Sequence, residues 1–356
     1  DFVAAPVTVT KERAESLLFT EGYLDTDFRL ITRRGDAAIT DLASLRGKVV
    51  SVNLGSAYEG WAKSMEATVG WKVEAFGTQT DAVQAGATTL ALAAMARIYL
   101  SHRGGPPVGW KTRLLFWLGI GVAALVKGPV GPLVALLAGL ALWASERRID
   151  WAKSLGWSWG PLLVLAIVGP WAWAITVASD GAFWGAAIGG DLAPKLVGGH
   201  ERHGGLFGYH AFLAPMLTFP GSLLLAAGLA LGWQARKEPS VRFALCWLIP
   251  TWLMFELLPT KLAHYSLPAH GALFMLMAAA LREPLGRISR IAGVVTLGFA
   301  SLVFAAVCVA GMAEYGDDSD LTWGAITIGL FVATAITGGV LVFRRAAGTA
   351  LAAAGV

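Results

Sequence analysis

Long apolar runs from residue 82 onward constrain the fold of this chain more than any other feature. They cover residues 82–100, 114–127, 131–145, 158–178, 211–233, 243–259, 266–281, 291–312 and 321–343. A helix needs roughly 20 apolar residues to cross a bilayer, and fewer when it is broken or lies inside a bundle. The chain is 56% hydrophobic and 15% charged, as membrane proteins are. The sequence therefore predicts a mainly α-helical, polytopic transmembrane bundle of about nine spans.

The connectors between the apolar runs alternate in charge. Basic connectors, such as SHRGGPPVGWKTR, SERRIDWAK, QARKEPSVR and REPLGRISR, occur at every second connection, and the closing FRR is basic too. The alternate connectors, including EYGDDSD at 314–320, are acidic or mixed. The positive-inside rule places the basic set in the cytoplasm, so residues 1–81 and the other loops are predicted outside. Basic anchors also account for the net charge of +4 without any nucleic acid partner.

A change in charge content near residue 80 divides the chain. Residues 1–75 carry charged side chains at an ordinary globular density, whereas charge is confined to short clusters from Ala82 onward. We therefore predict two domains, 1–77 and 78–356. The chain opens on Asp1 with neither an initiator Met nor a signal peptide, which indicates a fragment or a processed product.

Polar residues at the predicted outer ends of the spans are the candidates for chemistry. Lys127, in KGPVGP, is either a snorkelling lysine of a tight hairpin or part of a site for anionic phosphate. Lys261, His264 and Tyr265 lie in PTKLAHYSLP, at a span boundary. A Lys and a His three residues apart share one turn and can together hold a phosphate. Lys and Tyr are also ordinary interfacial anchors, whereas His is less common there.

The loop at 189–210 sets charged residues between glycines. These residues are Asp191, Lys195, His200, Glu201, Arg202, His203 and His210. The pattern suits a flexible loop that lines a pocket, although a solvated loop has the same composition. The spacing in HERH argues against a structural zinc site and leaves a loosely held divalent ion open. Cys246 and Cys308 lie inside apolar runs without metal-ligand spacing and are predicted to be buried small hydrophobic residues. We therefore name no metal ligand and no certain cofactor, with a divalent ion left open.

Three stretches of residues 78–356 resemble a known family. LVKGPVGPLVAL, GGDLAPKLVGGHERHGGLFGYHAFLAPMLTFPGS and ELLPTKLAHYSLPAHGAL are similar to the membrane-embedded glycosyltransferases of family 39, of the GT-C type. This family includes bacterial relatives of protein O-mannosyltransferases and the lipid A aminoarabinose transferase. The resemblance implies transfer of a sugar from a polyprenyl-phosphate carrier to a lipid or protein acceptor on the periplasmic face.

The same resemblance implies roles for individual residues. The carrier phosphate would be bound by Lys127, Arg202, Lys261, His264 and Tyr265. Asp191, Lys195, Glu201 and His203 would belong to the pocket loop. A carboxylate would serve as general base for the acceptor hydroxyl, and we assign this role to Asp81. The family's first span and catalytic loop would precede residue 78, so we expect a transferase shortened at its N-terminus, with impaired activity.

The front segment resembles a different family. APVTVTKERAESLLFTEGYL and DLASLRGKVVSVNLGSAYEGWAKS are similar to type II periplasmic solute-binding proteins, which implies a small α/β fragment of that fold. In that family Pro6, Thr8, Arg13 and Ser56 would bind an amino acid. KVVSVN is predicted to form a buried parallel strand before a helix. The segment holds about a third of one lobe, so we expect no closed cleft and no binding.

Three interpretations follow. The first is a multi-pass transferase of the bacterial inner membrane, with its front segment in the periplasm. The second is an amino-acid-binding or sensor module tethered to the membrane. The third is a non-natural join of two genes, for which TDAVQA at 80–85 is a suitable junction because both families carry similar sequences there.

Overall fold

The computed structural model describes residues 39, 41–53, 57–76, 80–185, 187–188, 205–259, 261–282, 284–315 and 320–343. The chain divides into two units, residues 1–81 and residues 82–356, and each is described by itself. The assignment of the two predicted domains to different families stays a prediction.

The N-terminal unit contains a short β-α-β arrangement. Strand β1 (Val49–Asn53), helix α1 (Ala57–Val69) and strand β2 (Lys72–Phe76) follow one another, and the two strands pair in parallel. Trp71 packs in the core beneath α1 and donates its indole N–H to the carbonyl of Ala62 at 2.9 Å. The strand and helix predicted from KVVSVN are confirmed. The strand is not buried on both faces, however, because Val50 is buried and Val49 is exposed.

The membrane unit is helical. Its main helices are α2 (Thr80–Ser101), α3 (Trp110–Lys127), α4 (Val130–Glu146), α5 (Gly160–Ala178), α6 (Tyr209–Leu217), α7 (Leu225–Gln234), α8 (Pro239–Leu257), α9 (Leu267–Ala280), α10 (Arg287–Tyr315) and α11 (Asp320–Phe343). Helix α4 packs against α8, α3 against α5, α9 against α7 and α8, and α10 against α11. The core between them contains Leu92, Tyr99, Phe243 and Trp247, which are fully buried.

Each apolar run predicted as a span is helical over most of its length. Within the described residues, α2, α5, α8, α10 and α11 are long and apolar enough to cross a membrane, and α4 is a shorter apolar helix. The mainly α, multi-pass architecture is therefore confirmed. The number of nine crossings stays a prediction. Among the described residues, five helices are long and apolar enough to cross a membrane, or six if the bent pair forms one span.

The apolar run 211–233, predicted as one span, forms a bent pair of helices rather than one straight helix. The chain forms α6, breaks, and continues from Gly221 to Gln234 at an angle of 116°. Helix α6 ends before Pro220, which has no N–H to donate and disfavours helical geometry at the residue before it. A 3-10 turn, Gly221–Leu224, then starts the second arm. The break directs α6 and α7 along different axes.

Glycines allow close helix packing in this unit. A Cβ on Gly119 of α3 would lie 2.7 Å from the carbonyl oxygen of Ala87 on α2. A Cβ on Gly293 of α10 would collide with the carbonyl oxygen of Leu223 in the 3-10 turn. Thr296, one turn further along α10, donates to the carbonyl of Ser222 at 2.7 Å. Small residues at helix contacts are typical of membrane bundles, where tight packing stabilises association.

The predicted cytoplasmic end carries a buried ion cluster. The side chain of Glu146, at the end of α4, is 7% exposed and accepts from Arg103 at 2.6 Å and from the Tyr99 hydroxyl at 2.6 Å. Arg242 of α8 also donates to Glu146. Arg103 donates to Asp150 at 3.1 Å as well. This cluster joins α2, α4, α8 and two basic connectors at one end of the bundle.

We expect Gly293→Ala to destabilise the membrane unit by about 1–3 kcal/mol, because the new methyl group must displace backbone rather than a flexible side chain. Gly298→Ala, on the same helix in open space, is the matched control. It should be neutral or stabilise by up to about 1 kcal/mol through helix propensity. Unfolding of each purified variant in mixed micelles, followed by circular dichroism, measures the difference. Equal stability of the two variants would contradict the close approach of α10 to Leu223.

We expect Glu146→Gln to lower the free energy of unfolding by on the order of 3 kcal/mol, because it removes the buried carboxylate that Arg103 and Arg242, both largely shielded from water, share. Asp150→Asn should have a much smaller effect, since the Asp150 side chain is 38% exposed and its attraction to Arg103 is screened by water. The same micelle unfolding assay compares them. An equal loss of unfolding free energy in Asp150→Asn and Glu146→Gln would show that the burial of Glu146 does not determine the size of its contribution.

Asp150 should also give a pH-dependent difference. The hydrogen bond from Arg103 lowers the pKa of the Asp150 carboxyl below its ordinary value. A carboxyl with a lowered folded-state pKa stabilises the fold above its unfolded pKa, and this contribution disappears as the pH falls through the folded-state pKa. The stability difference between the parent chain and Asp150→Asn should therefore vanish in acid. A difference that grows as the pH falls would contradict this assignment.

Candidate functional site

A buried polar cluster lies at the opposite end of α8 from Arg242. It comprises Gly208, His210, Glu256, Lys261 and Leu262, and we call it the Glu256 cluster. Glu256 is 3% exposed and stands in the last turn of α8. One carboxylate oxygen accepts the backbone N–H of Gly208, and the other accepts the backbone N–H of His210 at 3.3 Å and meets its ring Nδ1 at 2.7 Å. Hydrogen bonds therefore satisfy both oxygens of this buried carboxylate.

The start of α6 presents these donors. Gly208 has φ 96°, a left-handed conformation that glycine adopts without strain, and it precedes the first residue of α6. The first N–H groups of a helix have no partner within the helix and favour a negative charge. Glu256 supplies that charge from α8. The N-terminus of α6, at Gly208–His210, therefore faces the buried carboxylate of Glu256.

The ring of His210 links Glu256 to the next turn of the chain. This side chain is 0% exposed, and its Nε2 lies 3.1 Å from the carbonyl oxygen of Leu262. Both ring nitrogens therefore face acceptors. Each ring nitrogen that carries a proton donates it to the acceptor that it faces.

Lys261 caps the end of α8. It is 6% exposed, and its Nζ donates to the carbonyl oxygens of Glu256 at 2.5 Å and Leu258 at 2.8 Å. The last carbonyls of a helix lack partners within the helix, and a cation there also interacts favourably with the helix dipole. A Cβ on Gly205 would lie 2.9 Å from Cδ of Lys261, so the glycine leaves room for the lysine stem.

Lys127, His264 and Tyr265 come together beside this cluster. The Nζ of Lys127, at the end of α3, lies 5.3 Å from the centre of the Tyr265 ring, a cation–π distance. The rings of His264 and Tyr265 are 5.1 Å apart and nearly perpendicular. Both residues lie in the 3-10 turn Ala263–Ser266, directly after Lys261 and Leu262. The structure therefore brings together two stretches that are far apart in sequence.

A second buried histidine extends the polar layer. His270 of α9 is buried, and its Nε2 lies 3.2 Å from the hydroxyl of Ser266. Its ring stacks on Trp252 with centres 6.1 Å apart, and Trp252 meets the ring of His210 edge-on at 6.5 Å. Ionisable side chains are rare inside membrane bundles and usually face a partner or a functional cavity.

Among the remaining residues predicted for a site, the structure describes only Asp81. Asp81 lies half-buried in the first turn of α2, where the helix dipole favours a carboxylate. Its role as general base stays a prediction. A further group lies outside the described residues and keeps only its predicted roles. It comprises Pro6, Thr8, Arg13, Ser56, Asp191, Lys195, His200, Glu201, Arg202 and His203.

Sequence reasoning missed Glu256 and counted His210 only as one of the loop residues. A signal for Glu256 exists, because it is the single acidic residue of the apolar run 243–259. A carboxylate in such a run is expensive and predicts a buried partner. Among the described residues no group of His, Cys, Asp and Glu could hold a metal ion.

An apolar groove of 290 Å³ opens between α2 and α3. It is lined by Val83, Gly86, Ala87, Leu90, Leu118, Gly119 and Val122. Leu118 and Val122 stand on α3, which ends at Lys127. At 1.5 Å per residue, Val122 lies only about 7 Å along the helix axis from Lys127. The groove therefore approaches the level of the Lys127–Tyr265 contact.

The sequences similar to this chain include arabinosyl transferases from several bacteria. The chain is 29% identical over 217 residues to the undecaprenyl phosphate-alpha-4-amino-4-deoxy-L-arabinose arabinosyl transferase of Pectobacterium carotovorum subsp. carotovorum, which is 57% of this chain and 38% of that protein. It is 27% identical over 274 residues to the transferase of the same name from Aeromonas salmonicida, which is 72% of this chain and 48% of that protein. The matched regions are thus less than half of each relative. No family model matches the chain.

A solved structure shares the architecture. The crystal structure of ArnT from Cupriavidus metallidurans bound to undecaprenyl phosphate superposes with a TM-score of 0.59 and 18% identity. The match covers 82% of this chain and 54% of ArnT. The chain has the ArnT fold. The predicted GT-C-type membrane bundle is thereby confirmed, whereas the resemblance of the front segment to a binding protein receives no support from these comparisons and stays a prediction.

We expect Lys261→Met to lower the free energy of unfolding by about 1–3 kcal/mol, because methionine keeps much of the apolar stem but leaves two buried carbonyls without their donor. Lys153→Met, at an exposed lysine of a basic connector, is the control and should change stability by less than about 0.5 kcal/mol. Micelle unfolding measures both. Unchanged stability of Lys261→Met would show that the cap on α8 contributes nothing.

Proposed function

We propose that this chain is a membrane glycosyltransferase that moves a sugar from a polyprenyl-phosphate carrier to a lipid or protein acceptor at the periplasmic face. The observation that carries the proposal is the meeting of Lys127 with Tyr265, next to His264 and the buried Lys261. It occurs at the end of α3 and α8 opposite to the basic connectors. Under the positive-inside rule that end faces the periplasm.

The chemistry of the reaction suits these groups. The acceptor oxygen forms a bond to the anomeric carbon while the bond from that carbon to the phosphate oxygen breaks, and the phosphate leaves with the electron pair. Lys127 and His264 would stabilise the charge that develops on the leaving phosphate. Lys261 adds a fixed positive charge beneath the turn. The proton of the acceptor hydroxyl would pass to a carboxylate, for which Asp81 remains the candidate.

The apolar groove between α2 and α3 suits the tail of such a carrier. Its lining is almost entirely hydrocarbon, which favours a polyprenyl chain over water. It approaches Lys127 along α3, so a tail in the groove would bring its phosphate to the basic end of that helix. The names of the related transferases and the undecaprenyl phosphate bound to ArnT support this carrier class.

The proposal predicts loss of transfer when the phosphate-facing groups are removed. The chain, in liposomes with undecaprenyl phosphate-linked 4-amino-4-deoxy-L-arabinose and lipid A, should yield sugar-modified lipid A by mass spectrometry. Lys127→Met and His264→Ala should each lower the rate by on the order of a hundredfold, as loss of a transition-state charge partner does. Reconstitution of the variants into liposomes should be unchanged.

Lys111→Met is the matched control, because Lys111 is an exposed lysine at the other end of α3. It should leave the rate unchanged. Absence of transfer by the parent chain to lipid A, and to a membrane protein fraction offered as second acceptor, would contradict the proposal. Equal rates for Lys127→Met and Lys111→Met would remove Lys127 from the site.

A further inference from the structure

Hydrogen bonds connect Glu256 to two separate segments of the chain, residues 208–210 and residues 261–262. Its carboxylate accepts from Gly208 and His210 at the start of α6. Its backbone carbonyl accepts the Nζ of Lys261 at 2.5 Å. Through the His210 ring it reaches the carbonyl of Leu262, which lies 3.1 Å from Nε2. Glu256 therefore contacts the side chain of Lys261 directly and the backbone of the next residue, Leu262, through His210.

The carbonyl of Leu262 is the point that joins this cluster to the turn bearing Tyr265. It accepts the ring of His210 and also the backbone N–H of Tyr265 at 3.0 Å. The latter bond closes the turn that places His264 and Tyr265. A shift of His210 would therefore move the same carbonyl that sets the direction of the Tyr265 ring towards Lys127.

The Glu256 carboxylate is too deeply buried to contact the carrier lipid directly. Glu256, His210 and Lys261 are each more than nine-tenths buried, and the oxygens of Glu256 are used by donors of the chain itself. Burying a carboxylate is costly, and well-packed apolar residues would often serve stability as well. A buried carboxylate has another property, because its hydrogen bonds specify one arrangement of the groups that they join.

We propose that Glu256 is a positioning residue, which acts through His210 and Leu262 to hold the turn 261–265 in the arrangement that binds the carrier phosphate. The inference rests on the proposed function for its ligand. The mechanical part, that Glu256 orders this turn, stands on the contacts of the chain alone.

The test is Glu256→Gln in the full chain in lipid nanodiscs. Glutamine keeps the length of the side chain but has one acceptor oxygen, and its NH₂ group would face a donor. Binding of undecaprenyl phosphate and of undecaprenol is measured separately. The affinity for undecaprenyl phosphate should fall by on the order of tenfold, as for one lost charge-assisted hydrogen bond. The affinity for undecaprenol should not change, because the groove for the tail is unaffected.

Glu238→Gln is the matched control, since Glu238 is exposed at the other end of the same helix. It should change neither affinity. An equal loss for the phosphate and the alcohol would indicate a general structural defect and overturn the inference. So would an unchanged affinity of Glu256→Gln for undecaprenyl phosphate.

A second measurement separates this inference from the proposed function. Hydrogen–deuterium exchange of the peptide 258–266 should speed up in Glu256→Gln but not in Glu238→Gln. If the parent chain binds both lipids equally, the proposed carrier site fails, and exchange alone decides whether Glu256 orders the turn. Unchanged exchange would overturn the inference whatever the lipids do.

His210→Gln provides the same test if Glu256→Gln does not fold. It leaves the backbone donors of Gly208 and His210 on the carboxylate and removes the ring that reaches Leu262. The same selective loss of phosphate affinity and faster exchange at 258–266 is expected. Parent-like exchange together with parent-like phosphate affinity in His210→Gln would overturn the inference.

Discussion

A buried carboxylate inside a membrane bundle needs hydrogen-bond donors on both oxygens, and the rest of this structure depends on how that requirement is met. Glu146 and Glu256 are the two clearest cases. Glu146 takes its donors from Tyr99, Arg103 and Arg242, and thereby joins α2, α4 and α8 at one end. Glu256 takes its donors from the start of α6. Because an unpaired buried charge costs several kcal/mol, each end of the bundle is restricted to one arrangement.

The donors to the buried carboxylate differ between the Glu146 end and the Glu256 end of the bundle. At the basic end, arginines provide charge that is also suited to contact with an anionic membrane surface. At the other end, a histidine and a lysine are drawn inward, and their hydrogen bonds go to backbone carbonyls of the turn that follows α8. That turn carries His264 and Tyr265 to Lys127. We propose that the inner residues order the outer ones and that the outer ones bind the carrier phosphate.

Lys261 has a local structural role that its sequence pattern does not predict. The pattern PTKLAHY singled it out as a phosphate ligand, and a role in phosphate binding stays a prediction. In the fold its ammonium group is held by two carbonyls at the end of α8. The lysine therefore acts first as a helix cap. Its charge remains at the site, but at a position set by the backbone.

Hydropathy in the sequence was enough to place most of the helices, because the bilayer imposes a length on every span. Charge alternation predicts which ends of the spans face the cytoplasm, and this sidedness stays a prediction. Local chemistry was also readable at Pro220, although the bend it produces was missed. The family resemblance grouped Lys127 with Tyr265, but tertiary structure alone decided that the Lys127 ammonium faces the Tyr265 ring and that Glu256 bonds His210. Such pairs join helices far apart in the chain, and their geometry depends on how the helices pack rather than on any spacing within one segment.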